Sequence, residues 1–167
     1  MVSRPRERET NDQRKEHMNE RARFRHGSPD GYKVLLELDN YINNCGLELP
    51  LLYLIYLRIS QINGCAYCTD MHWKDARHAG ASENKLALVP CWREAPGFTA
   101  RERAALSWAE SVTNLADGHV SDAEYASACA AFSEAEICNL TLAISAMNLW
   151  NRLGISFRME PGNYQPS

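Results

Sequence analysis

A chain of 167 residues with a formal net charge of −3 and a pI near 6.0 can bury one substantial core and carries no basic excess, which argues against a nucleic-acid or polybasic membrane binder. Its first residues, Met1 to Thr10, lack the apolar core of a signal peptide, and no apolar run approaches membrane-spanning length, so the expected compartment is the cytoplasm. Six cysteines, at 45, 65, 68, 91, 129 and 138, are therefore expected to stay reduced, which makes a close pair a redox or metal motif rather than part of a disulfide framework.

Residues 1–26 interleave basic side chains (Arg4, Arg6, Arg8, Arg14) with acidic ones (Glu7, Glu9, Asp12) and offer almost nothing to bury, so they read as a flexible, solvated arm. Ser28-Pro29-Asp30-Gly31 starts the domain proper, assigned to 27–158. Tyr32, Leu35, Leu36, Leu38, Tyr41 and Ile42 recur at helical spacing, and Gly46 follows as a stop. Leu49 to Ile62 predicts a second, strongly apolar helix broken by Asn63-Gly64, and a third runs from about Cys65 to His78 with Gly80 behind it. A short helix near Glu83 to Leu88 precedes a loop through Pro90, Pro96 and Gly97. Thr99 with Glu102, Ser121 with Glu124 and Ser133 with Glu136 are capping-box pairs that open three more helices.

The last of these, Glu134 to Leu153, is apolar around much of its circumference, which predicts either the central helix of a bundle or one partly covered by another subunit. Gly154 reads as its end, and 159–167 as an irregular tail. The fold class expected is thus all-α, a single helical bundle of about six to seven helices.

The chemistry concentrates at Cys65-Ala66-Tyr67-Cys68, followed by His72. On a helix starting near Gly64, Cys65, Cys68 and His72 share one face, because they are separated by three and four residues. A cysteine in a first turn feels the unpaired backbone N–H groups, and an imidazole one turn on can take its proton. Both effects favour a thiolate near neutral pH. A zinc site on the same three residues lacks a fourth ligand at a suitable spacing, so neither metal nor cofactor is expected. The lone cysteines 45, 91, 129 and 138 read as packing residues or bystanders, and Asn148, Asn151 and Arg152 as structural hydrogen-bonding groups in an apolar helix.

The run from Leu57 to His72, with Phe98 to Glu110 and Asn148 to Leu153, resembles the alkylhydroperoxidase AhpD-like proteins of the carboxymuconolactone decarboxylase superfamily. That resemblance implies a thiol peroxidase. Cys68 would attack the hydroperoxide, Cys65 would close a disulfide with it, His72 would serve as base, and an external dithiol would be the reductant. It also implies a homo-oligomer, trimeric or hexameric. A glutamate that the family places twelve residues before the first cysteine is Tyr53 here, so one relay position carries a phenol instead of a carboxylate. Two other readings remain: a non-catalytic, redox-sensing helical assembly protein, and lactone decarboxylation, whose family members lack this CxxC.

Overall fold

The computed structural model describes residues 23–166, and most of the charged arm falls outside them. Among the described residues the chain forms eight α-helices and one 3-10 turn, with no strand. They are α1 (Phe24–Gly27), α2 (Pro29–Asn43), α3 (Leu49–Asn63), α4 (Ala66–His78), α5 (Glu83–Ala87), the 3-10 turn Val89–Cys91, α6 (Ala100–Thr113), α7 (Asp122–Cys129) and α8 (Glu134–Ser156). The element beyond the expected six or seven is α1, a single turn with no periodic pattern to announce it. Tertiary contact holds it: Phe24 stacks on Phe157 with ring centroids 6.0 Å apart and meets Tyr32 edge-on at 6.4 Å.

Most helix ends follow local chemistry. Thr99 and Ser133 make complete capping boxes with Glu102 and Glu136, each hydroxyl accepting from the N3 amide while the carboxylate accepts from the cap's own N–H. The box expected at Ser121 is half formed. Ser121 accepts from the Glu124 amide, but the Glu124 carboxylate accepts from Ser107 Oγ on α6 at 2.9 Å, so it is spent tying α7 to α6. A second correction concerns Gly154, which does not end the last helix. The helix continues to Ser156, and the glycine is buried inside it.

The core is organised around α3, whose Leu52, Ile55, Leu57 and Ile59 are fully enclosed and which packs against α4, α6 and α8. Opposite them α8 buries Leu140, Ala143, Ile144 and Met147, while Leu142 and Leu149 on its other side stay exposed. One buried carboxylate binds three segments. Glu110 on α6 accepts from Arg58 Nε of α3 at 2.6 Å, from Trp92 Nε1 at 3.0 Å, and from Arg93 Nη1. Burial pulls its carboxyl up, and the hydrogen bonds from Arg93, Trp92 and Arg58 more than reverse that, leaving it below the usual carboxylate range.

Candidate active site

The turn between α3 and α4 sets the site. Gly64 caps α3 in the left-handed region at φ 70°, which turns the chain sharply enough for Cys65 to become the N-cap of α4. The Cys65 sulfur accepts from the Cys68 amide at 3.3 Å, so it takes one of the four N–H groups that a helix start leaves unpaired. A disulfide joins Cys65 to Cys68, with Cα atoms 5.4 Å apart. Both are buried, at 1% and 3% exposure.

A polar clamp fixes this turn against α8. Asn63 Nδ2 donates to Asn148 Oδ1 at 2.9 Å and to Asn151 Oδ1 at 2.8 Å, and Asn151 Nδ2 donates to Ser60 Oγ at 3.1 Å. Asn148 Nδ2 reaches Thr113 Oγ1 on α6 at 3.1 Å. Asn148 and Asn151 thus have the structural hydrogen bonds expected of them, and Arg152 donates back to the Asn148 carbonyl at 2.8 Å. One turn beyond the clamp comes Gly154. A Cβ at that position would lie 3.0 Å from Cys65 Sγ and 3.4 Å from Cys68 Sγ, so the two sulfurs rest directly on the backbone of α8.

His72 stands one turn after Cys68 and is buried. Its Nδ1 is 3.2 Å from Asp75 Oδ2, and its Nε2 has no protein hydrogen-bond partner among the described residues. The Tyr56 ring lies against the imidazole, centroids 5.1 Å apart. Tyr53, the position expected to hold a relay group, is half-buried. Desolvation, and then the nearby Asp75 charge, push its phenol above the ordinary value, so it stays protonated at neutral pH. A carboxylate is nonetheless present at the histidine: it comes from Asp75, three residues after it. Asp39 on α2 is a second acid within electrostatic reach of His72. Burial raises its carboxyl, opposed by the hydrogen bond from Trp150 and by the histidine.

The other cysteines take no part. Cys45 is half-buried and packs on the core, while Cys91, Cys129 and Cys138 are exposed, so the packing role does not hold for those three. Among the described residues no group of three or more His, Cys, Asp or Glu side chains could hold a metal ion. Nor is any helix there long and apolar enough to cross a membrane. Near the sulfurs is a cavity of about 730 Å³, lined by the aromatic Tyr32, Tyr67, Trp150 and Phe157, by Leu153 and Met159, and by the charged Arg23, Arg25, Arg158 and Glu160. Met159 Sδ is 3.9 Å from the Cβ position at residue 154, which brings that wall close to the disulfide.

The carboxymuconolactone decarboxylase family matches residues 29–111. The uncharacterized protein YdfG of Bacillus subtilis (strain 168) is 32% identical over 139 residues, covering 83% of this chain and 95% of its own length. The chain belongs to the carboxymuconolactone decarboxylase family. A protein of unknown function from Agrobacterium tumefaciens, suggested to be an antioxidant defence protein AhpD, superposes with a TM-score of 0.83 at 41% identity, covering 87% of this chain and all of its own. The same fold also carries other chemistry. The debrominase Bmp8, solved with 2,3,4-tribromopyrrole, has a TM-score of 0.73 at 18% identity over 83% of this chain and 74% of its own. That likeness shows the fold alone.

Proposed function

We propose that the protein is a thiol peroxidase, an AhpD-like antioxidant enzyme of the cytoplasm that reduces hydroperoxides through a Cys65–Cys68 dithiol/disulfide cycle. One observation carries the reading. The two sulfurs are bonded at the N-terminus of α4, with a buried histidine one turn on whose Nε2 has no hydrogen-bond partner among the described residues.

Cys68 thiolate attacks the peroxide, the O–O bond breaks, and an alcohol leaves after taking a proton, which gives a sulfenic acid on Cys68. Cys65 attacks that sulfur, forms the disulfide and releases water. An external dithiol then reduces the pair by two exchange steps and becomes a disulfide itself. His72 Nε2 takes the thiol proton and returns it to the departing oxygen. The neighbouring cavity, walled by aromatic rings together with Arg23, Arg25, Arg158 and Glu160, has room for an organic hydroperoxide as substrate.

Stoichiometric cumene hydroperoxide followed by mass spectrometry is the test. The reduced protein should lose two hydrogens at Cys65 and Cys68, and Cys65→Ser should leave a trappable sulfenic acid on Cys68. Trapping on Cys65 in Cys68→Ser protein alone would reverse the two roles. The burial of both sulfurs favours one competing reading, a redox sensor that oxidises once and does not turn over. Continuous peroxide consumption with a dithiol donor distinguishes the two.

A further inference from the structure

His72 is reached from two parts of the chain far apart in sequence. Asp75 Oδ2 takes its Nδ1 at 3.2 Å, and the other oxygen of the same carboxylate, Oδ1, accepts from Tyr164 Oη at 2.6 Å. Tyr164 lies in the irregular C-terminal segment, and a set of polar contacts holds that segment in place. Lys74 Nζ donates to the carbonyls of Gly162 and Tyr164 at 3.1 and 3.2 Å and to Asp70 Oδ2 at 2.8 Å, and the Gly162 amide donates to the same Asp70 oxygen at 3.0 Å. The tail is thereby fastened to α4 beside the histidine.

An ionised carboxylate has no proton to give, so the hydrogen shared with His72 belongs to the ring. Nδ1–H donates to Asp75. In the neutral imidazole this leaves the lone pair on Nε2, the buried nitrogen that has no hydrogen-bond partner among the described residues. Tyr164 is suited to hold the carboxylate in that role, because burial first, and then its bond to Asp75, keep its phenol well above the ordinary value. It remains a donor throughout the working pH range.

We infer that Asp75 and Tyr164 are positioning residues for the thiol chemistry: the phenol of the C-terminal tail orients the Asp75 carboxylate, and the carboxylate fixes His72 as the Nδ1–H tautomer with Nε2 able to take the thiol proton. The inference rests on the thiol-redox reading of this site.

Paired variants test it. In Asp75→Asn, the phenol's donated hydrogen draws the amide oxygen toward Tyr164 and turns the amide NH2 toward Nδ1, which moves the ring proton to Nε2. Removing the phenol as well, in Asp75→Asn/Tyr164→Phe, lets the amide turn over and offer its oxygen to Nδ1–H. Single-turnover thiol oxidation at pH 7 should fall about 100-fold in Asp75→Asn and recover about tenfold in the double variant. Long-range 1H–15N spectra of reduced, histidine-labelled protein should show Nδ1–H in the wild type, Nε2–H in Asp75→Asn, and Nδ1–H again in the double variant.

A double variant no faster than Asp75→Asn, or one tautomer throughout, overturns the inference. If Asp75→Asn does not fold, Tyr164→Phe decides the part played by the tail. It should keep the wild-type tautomer and oxidise about threefold more slowly, and a wild-type rate would overturn that role. The spectra need no peroxide. Expected tautomers in a protein that does not oxidise its thiols would defeat the peroxidase reading alone, whereas normal oxidation with unchanged tautomers would defeat this inference alone.

Discussion

Gly154 shows how a single residue can be misread from its neighbours. A glycine after a long apolar run is the usual signature of a helix end, yet α8 passes through it, and what lies against the glycine there is the pair of sulfurs. Two effects of Gly154→Ala therefore oppose each other. Alanine inside a helix is favoured by about 1 kcal/mol over glycine, whereas the added methyl crowds Cys65 and Cys68 by a few tenths of an ångström. The reduced protein should unfold at the wild-type temperature or slightly above it. Closure of the disulfide from the Cys68 sulfenic acid should be about fivefold slower, because the sulfurs have to meet within a displaced geometry. Stopped-flow oxidation and thermal melts of the reduced protein separate the two effects, and an unchanged closure rate would show that the contact does not matter.

At the scale of elements, what was legible in the sequence is what local chemistry decides. The spans of α3 and α4, the stop at Gly64, and the starts of α6 and α8 at two of the three capping boxes all follow from periodicity and side chains within four residues of one another. Cys65, Cys68 and His72 were visible for the same reason, since one helix carries all three. Partners that meet across the bundle were not. Glu110 joins α6 to an arginine 52 residues earlier, and Tyr164 reaches Asp75 across 89 residues from a segment with no periodic pattern.

The Glu110 link makes its own prediction. Its folded pKa lies below the unfolded value, so its contribution to stability is present above the ordinary carboxylate range and is lost as pH falls through the folded value. Glu110→Gln should cost about 2 kcal/mol at pH 7, because Arg58 loses its charge partner in a mostly buried site. The gap between variant and wild type should narrow as denaturation is repeated at falling pH, through and below the ordinary carboxylate range, because the wild-type carboxyl then protonates as well. A gap independent of pH would mean that the loss comes from packing rather than charge.

At the scale of the whole molecule, the surface of α8 bears on assembly. The core accounts for most of α8 but not for all of it. Leu142 and Leu149 are 37% and 38% exposed, two turns apart, and share a surface stripe with Cys138, Ser145 and Arg152 at intervals of three and four residues. Such spacing is the seam that a second helix can cover. Val34, Leu36 and Tyr41 add further uncovered apolar surface on α2. Two leucines are too little for a stable interface, which needs roughly 1,200 Å² of buried surface, so the stripe would have to be one part of a larger contact. We expect a homo-oligomer, trimeric or hexameric, in light scattering at micromolar concentration. Leu142→Arg/Leu149→Arg should shift it toward the 18.9 kDa chain, since two cations placed beside Arg152 would face their own copies across the seam. The variant chain should keep its helical circular dichroism, because neither leucine belongs to the enclosed core. A wild type already monodisperse at the chain mass would mean that α8 needs no cover beyond its own fold, and an oligomer indifferent to both arginines would place the interface on another face.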